Sequence, residues 1–339
     1  MRAAVYYTNR DVRIEERPVP RIGPGEILLR VEASGICGSD VLEWYRARKA
    51  PLVLGHEVAG IVAETGPGVT AFRRGQRIAT THHVPCNACR LCLADRHSLC
   101  ETLRRTHFDP GGFAEFVRLP AENVARGTFV VPDGVDAAAA SFVEPLACTV
   151  RAQRIAGVGP GCSVAVLGSG LSGLLQVQLA RALGASPIVA TDLHPFRREA
   201  ARRLGADVVL DARAEVPSEV RRATGGIGAD AVIVCTGARE AIAQGLRSAG
   251  RGGTVLLFAL LPPGEILPVP LGDLWQDGVT LTSSYAGPPA DMRAALDLIA
   301  AGRVDPTATV THRLPLEQAA EGFRLTAEAG ASLKVILEP

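Results

Sequence analysis

The most restrictive feature of the chain is a short apolar run that passes directly into a glycine-spaced turn. Residues 164–167 (Val-Ala-Val-Leu) are followed at once by Gly168-Ser169-Gly170-Leu171-Ser172-Gly173 and then by the amphipathic segment 174–183. Strands buried on both faces read as continuous apolar runs, and a glycine-rich turn lets a helix start tight against the strand before it. Apolar runs at 188–191, 208–210, 231–235, 254–258 and 279–283 then alternate with amphipathic segments that include 195–204 and 239–249. Such alternation predicts a doubly wound α/β domain with a parallel sheet.

The turn carries chemistry as well as shape. Backbone amides at Gly168, Gly170, Leu171, Ser172 and Gly173 open a helix, where they can face a pyrophosphate. The second strand ends near Asp192, nineteen residues beyond Gly173. A carboxylate there accepts hydrogen bonds from both adenosine ribose hydroxyls and repels a 2′-phosphate, so NAD is expected in preference to NADP. Arg197 and Arg198 follow. A solvated helix face is the default reading of both, although a guanidinium at this place softens the NAD preference, and Arg197 is grouped with the cofactor residues.

Upstream of residue 150 the pattern changes. Gly23-Pro24-Gly25 and Gly66-Pro67-Gly68 punctuate apolar runs at 27–31 and 58–62, which reads as short strands joined by turns. The end of the chain offers a helix at 291–301 and an extended piece at 333–337. Four of the eight cysteines, Cys86, Cys89, Cys92 and Cys100, fall within fifteen residues. In a long chain without a signal-like N-terminus, that density reads as a metal site rather than disulfides, and four thiolates on one loop form a closed, structural zinc site. A second donor set is dispersed: Cys37 in Cys-Gly-Ser-Asp, His56 and Glu57 in Gly-His-Glu, and Glu144 in Glu-Pro-Leu. One thiolate, one imidazole and one carboxylate leave the fourth zinc position open, the catalytic pattern.

Composition excludes other classes. Lys+Arg is 36 against 35 for Asp+Glu, without the basic excess of a nucleic-acid or membrane-surface protein. A zinc-ribbon nucleic-acid module also lacks an aromatic stacking platform around the cysteines. The most membrane-like stretch, 162–185, carries Gln176, Gln178 and Arg181 among its glycines. A soluble, cytoplasmic protein is therefore expected, with no nucleic-acid and no membrane partner. Only two of the basic residues are lysines, Lys49 and Lys334, which reads as compositional bias rather than chemistry.

With both donor sets and the glycine turn in this order, the whole chain resembles a zinc-containing medium-chain dehydrogenase of the alcohol dehydrogenase superfamily. The Cys-Gly-Ser-Asp, Gly-His-Glu and Glu-Pro-Leu segments are similar to the polyol (sorbitol) dehydrogenase branch, with threonine dehydrogenases as near relatives. The resemblance implies a GroES-like catalytic domain over 1–148, a Rossmann NAD-binding domain over 149–286, a return to the catalytic domain over 287–339, and an active site in the cleft between them. It implies a homotetramer or homodimer, two zinc ions per chain, and hydride transfer from a small-molecule secondary alcohol, a polyol or sugar derivative, to NAD. Cys37, His56 and Glu144 match the catalytic zinc ligands, and Glu57 a neighbour that can exchange onto the metal. Ser39 matches the hydroxyl that hydrogen-bonds the reacting alcohol, and Asp40 a partner of the ligand histidine.

One departure is visible. Many relatives carry a histidine two residues after this aspartate, at the end of a proton relay; here the residue is Leu42. His83 matches a functional histidine of threonine dehydrogenase relatives and is the expected replacement, with an ordinary pKa of about 6.5 suited to accepting a proton near pH 7. His82 beside it is read as a bystander. Trp44, Tyr45, Arg46, Phe108 and Trp275 are candidate pocket residues, each equally readable as packing or surface. Two alternatives stay open: oxidation of an amino alcohol as in threonine dehydrogenases, and a zinc-binding relative that has lost catalysis.

Overall fold

The apolar run that opened the sequence argument is the strand Val164–Leu167, and every residue of it is buried. It lies inside a six-stranded, wholly parallel sheet. The spatial order is Val208–Asp211, Ile188–Asp192, Val164–Leu167, Ala229–Val234, Ala249–Leu257 and Thr280–Ser283. Numbered along the chain this is 3-2-1-4-5-6, the doubly wound order, whose switch point falls between Val164–Leu167 and Ala229–Val234. The helix Leu171–Ala182 starts three residues earlier than periodicity predicts, inside the glycine turn. Gly173 explains why the helix can do so: a Cβ there would lie 1.9 Å from the Gly168 carbonyl oxygen. The sheet belongs to a unit spanning Cys148–Tyr285.

The computed structural model describes residues 1–339. The second unit combines Met1–Ala147 with Ala286–Pro339. Its seven-stranded sheet is organised around Ile27–Gly35, which pairs antiparallel with Glu57–Thr65, Phe116–Leu119 and the C-terminal strand Lys334–Glu338. The register sets Gly35 opposite Glu57 on one side and opposite Ile336 on the other. Three distant segments of sequence therefore meet where Ile27–Gly35 ends, two residues before Cys37. A smaller sheet places Arg2–Thr8 between Asp11–Glu16 and Leu52–Val53.

Alternating apolar residues of these strands fill the interior. Ile27, Leu29, Val31, Val58, Val62, Ile78 and Val117 form one cluster. Tyr6, Ile36, Leu54, Phe113, Phe323 and Leu337 form another. Phe323 joins the C-terminal segment to the first strand by ring contacts at 5.5 Å to Tyr6 and 5.6 Å to Phe113. Each large side chain so buried contributes about 1.5–3 kcal/mol, which ties the two ends of the chain into one core.

The helices Val216–Ala223 and Leu271–Gln276 were not legible from periodicity, being only eight and six residues long. The strand Ala249–Leu257 starts five residues before the predicted 254, because Gly250, Gly252 and Gly253 mask it. No helix is long and apolar enough to cross a membrane.

Candidate metal centres and cofactor turn

The four cysteines of the 86–100 loop converge, their sulfurs all within 4.8 Å of one another. Cys89 and Cys92 are 3.6 Å apart and Cys86 and Cys92 4.0 Å. A tetrahedron of thiolates about 2.3 Å from zinc has edges of about 3.8 Å, so the spacing fits that ion. Burial opposes ionisation of Cys100, but amide hydrogen bonds from Cys86, Leu103 and Thr102 outweigh it and bring the thiol down to about 6. Amides of Ala88 and Cys89 likewise lower Cys86. Burial pushes Cys92 the other way, up to about 12, so the amides favour deprotonated sulfur, the form a metal requires, at Cys86 and Cys100.

The second group is smaller. Donor atoms of Cys37, His56 and Glu57 lie within 4.8 Å of one another. Local sequence explains the geometry at Cys37. The short helix Gly38–Val41 begins there: the Cys37 amide donates to Asp40 Oδ2 at 3.1 Å, while Cys37 Sγ accepts from the Ser39 amide at 3.5 Å and the Ser39 hydroxyl at 3.4 Å. This is the reciprocity of a capping box, with cysteine and aspartate at the two key positions. Asp40 is fully buried, and its Oδ1 lies 3.4 Å from His56 Nδ1. Burial disfavours a charged His56, but the Asp40 carboxylate overrides it and holds the imidazole well above its usual pKa. A carboxylate on Nδ1 keeps a proton there and, in the neutral ring, leaves Nε2 as the nitrogen open to a metal.

Glu57 occupies the carboxylate position of this group; Glu144 does not. Glu144 is buried in the first turn of the helix Val143–Ala156 but is outside the gathered donor atoms. Pairing of Glu57–Thr65 with Ile27–Gly35 brings Glu57 beside Cys37, while Glu144, expected as the third ligand, stands outside the gathered donor atoms. Glu57 Oε2 is ion-paired with Lys334, whose ammonium also donates to the Ile36 carbonyl at 3.0 Å. Both side chains are 1% exposed. Glu57 Oε1 is buried and makes no hydrogen bond, a free oxygen suited to a cation. The pair needs the room at Gly35, where a Cβ would stand 2.3 Å from Glu57 Oε2 and 2.5 Å from Lys334 Cε. Sequence reasoning missed Lys334; the signal was a lone lysine inside an otherwise apolar terminal strand.

The histidines also differ from expectation. His82, read as a bystander, packs its ring 4.9 Å from that of His56. His83 stacks on His82 at 3.7 Å and lies 5.9 Å from His107. Burial, reinforced by His56 and His107, drives His83 down to about 3, with backbone hydrogen bonds to Leu103 and Thr106 opposing only in part. Burial thus weakens the basicity of His83 relative to a free imidazole.

In the parallel sheet, Asp192 ends its strand as expected and is buried. Its Oδ2 accepts from the Ser169 amide at 2.9 Å and its Oδ1 from the His194 amide at 2.8 Å. The carboxylate thus ties the second strand to the glycine turn. Arg197 and Arg198 are not solvated-face residues. Arg197 Nη1 is 3.9 Å from Asp192 Oδ2 and close above Gly170, while Arg198 bonds the Asp192 and Leu193 carbonyls and Asp211.

A four-cysteine cluster, a three-donor group with Cys37 and a doubly wound sheet with a glycine turn are the features of a zinc-binding dehydrogenase fold. Family models agree: residues 23–133 match the alcohol dehydrogenase GroES-like domain and residues 173–301 the zinc-binding dehydrogenase domain. L-threonine 3-dehydrogenase of Bacillus velezensis is 38% identical, over 96% of this chain and 95% of its own. Sorbitol dehydrogenase of Gallus gallus is 33% identical, over 99% and 96%. A zinc-binding dehydrogenase from Sinorhizobium meliloti, solved with NADP, superposes with a TM-score of 0.89 at 31% identity, covering 100% of this chain and 99% of that one. The chain belongs to the zinc-containing medium-chain alcohol dehydrogenase family.

Two outcomes follow from the electrostatics. Lys334→Met leaves the Glu57 carboxylate buried without its cation, and breaking a buried pair from one side costs about 3–5 kcal/mol. Chemical denaturation should show a loss of that size, partly restored by Glu57→Gln in the same chain; an unchanged midpoint would remove the pair from the account. His83 binds a proton when unfolded below about pH 6.5 but not when folded until about pH 3. The unfolded state therefore binds more protons in that window, and stability falls as pH drops through it, by up to about 1.4 kcal/mol per pH unit from this residue. Relative to wild type, His83→Asn should flatten the acid limb of stability against pH; parallel limbs would show that the imidazole titrates normally.

Proposed function

We propose that the chain is an NAD-dependent dehydrogenase that oxidises a secondary alcohol, a polyol or sugar derivative, to the ketone. The observation that carries this reading is the convergence of Cys37, His56 and Glu57 beside the Ser39 hydroxyl. Each chain holds two zinc ions in this reading: a structural one on Cys86, Cys89, Cys92 and Cys100, and a catalytic one on Cys37, His56 and Glu57. A zinc ion there supplies Lewis acidity toward an alcohol oxygen.

The chain's own residues do the rest. Asp40 orients His56. Ser39 Oγ takes the hydroxyl proton of the alcohol as its own hydroxyl proton passes on to a further acceptor, and a nicotinamide bound beside the site would accept the hydride of the alcohol carbon. The products are ketone, NADH and one proton. Ser39 cannot pass that proton to Arg46, which donates to it at 3.2 Å and stays protonated at any working pH. We assign the onward path of the proton to His83 and exposed His107, whose rings lie 5.9 Å apart.

At the glycine turn, Gly168, Gly170, Leu171, Ser172 and Gly173 receive the pyrophosphate, Asp192 the adenosine ribose, and Arg197 the adenine end. NADP is the second cofactor reading, favoured by the guanidinium of Arg197 near Asp192 and by the NADP held in the Sinorhizobium protein. L-threonine is the second substrate reading, favoured by the 38% identical relative. A cytoplasmic homodimer or homotetramer is the expected form. The edge strand Thr280–Ser283 and the 86%-exposed Trp275 support self-association, since open strand edges and large apolar side chains are normally covered.

The test couples zinc analysis to nucleotide reduction with polyols, simple secondary alcohols and L-threonine, each with NAD and NADP. Wild type should hold two zinc ions and reduce NAD. Glu57→Ala should lose about one zinc equivalent and at least about 10²-fold in turnover, in line with other losses around a metal. An active Glu57→Ala beside an inactive Glu144→Ala would return the ligand role to Glu144.

A further inference from the structure

We propose that the alcohol received at this site carries an anionic substituent, a carboxylate or a phosphate monoester, held by Arg46 and Lys49. The inference rests on the reading of Cys37, His56 and Ser39 as the alcohol site and deepens it to a substrate class.

Arg46 is a fixed cation rather than a loose surface residue. Its side chain is 14% exposed. Nε donates to the Ser39 carbonyl at 3.0 Å, and Nη2 reaches Ser39 Oγ at 3.2 Å and Asp40 Oδ1 at 3.3 Å. A guanidinium has five N–H donors, so three acceptors leave capacity for a ligand. The charge stands one hydrogen bond from the hydroxyl that meets the reacting alcohol.

Lys49 adds a second charge. Its ammonium lies 5.5 Å over the Tyr45 ring and the Arg46 guanidinium 4.7 Å over the same ring. Lys49 is exposed and forms no ion pair. The acids nearby are committed elsewhere: Asp40 to His56, Arg46 and the Cys37 amide, and Glu43 to the Asn9 amide at 3.4 Å. Exposed His107 registers the result, since after burial its pKa is lowered chiefly by Lys49 and Arg46. A neutral polyol leaves Lys49 without a counter-charge and the remaining Arg46 N–H groups without an acceptor, whereas an anion a few atoms from the reacting carbon satisfies both. Carboxylate and phosphate share this chemistry, and a guanidinium binds either in forked geometry.

The experiment measures kcat/KM for matched pairs: sorbitol against its 6-phosphate, and 2,3-butanediol against 3-hydroxybutyrate. The anionic member should be preferred in at least one pair, and the pair in which this holds tells phosphate from carboxylate. Lys49→Glu should lower the anionic-to-neutral ratio about ten- to a hundredfold, mainly through KM. Inorganic phosphate or acetate should inhibit oxidation of the neutral alcohol competitively, more weakly in Lys49→Glu. Equal or better use of both neutral substrates, with a ratio indifferent to Lys49→Glu, overturns the inference and leaves the dehydrogenase reading standing. No reduction of either nucleotide by any substrate in zinc-loaded protein overturns both.

Discussion

A buried carboxylate is the constraint on which the catalytic unit depends. Placing Glu57 in the interior is costly unless a cation accompanies it, because desolvation of a lone charge exceeds what an isolated hydrogen bond returns. The cation is Lys334, nearly three hundred residues away in sequence. The two can meet only if the terminal strand Lys334–Glu338 pairs with Ile27–Gly35 and if residue 35 has no side chain. The return of the chain to its first domain is therefore more than a packing convenience. It carries the counter-charge that lets a carboxylate stand beside Cys37 and His56 with one oxygen still free.

Around that pair the site is assembled by short-range rules. The Cys37–Asp40 spacing is that of a helix N-terminus whose two ends cap each other, so the demands of the proposed chemistry and of local structure coincide. Asp40 then serves His56 and Arg46 with one oxygen and the Cys37 amide with the other. The four-cysteine loop is different in kind. Its donors lie within fifteen residues, and its amides lower Cys86 and Cys100 locally, so it needs little from the rest of the fold.

The legibility of the sequence follows the same division. Features set by local spacing could be read directly: the glycine turn after Val164–Leu167, the cysteine loop, and Asp192 at the end of its strand. Features set by strand register or burial could not. Seeing that Glu57 stands beside Cys37 required knowing that Gly35 pairs with Glu57. The depressed pKa of His83 arises from neighbours brought in by the fold, among them His56 and His107. The scarcity of lysine was visible, but not that both lysines stand at the site, one buried on Glu57 and one beside Tyr45. Arg197 and Arg198 looked like surface because their partners, Asp192 and Asp211, are joined only when the parallel sheet forms.

In the proposed reading the chain builds two metal centres of different chemistry, one all sulfur and one with a single sulfur. Zinc K-edge X-ray absorption on the purified protein tests it most directly, because it counts sulfur neighbours without reference to any substrate. Cys86, Cys89, Cys92 and Cys100 at one ion, and Cys37 with His56 and Glu57 at the other, predict two zinc ions per chain with an average of about 2.5 sulfurs each at about 2.3 Å and the remaining ligands nitrogen or oxygen. A single zinc ion with an all-sulfur shell, or two with the same sulfur count, would contradict the account.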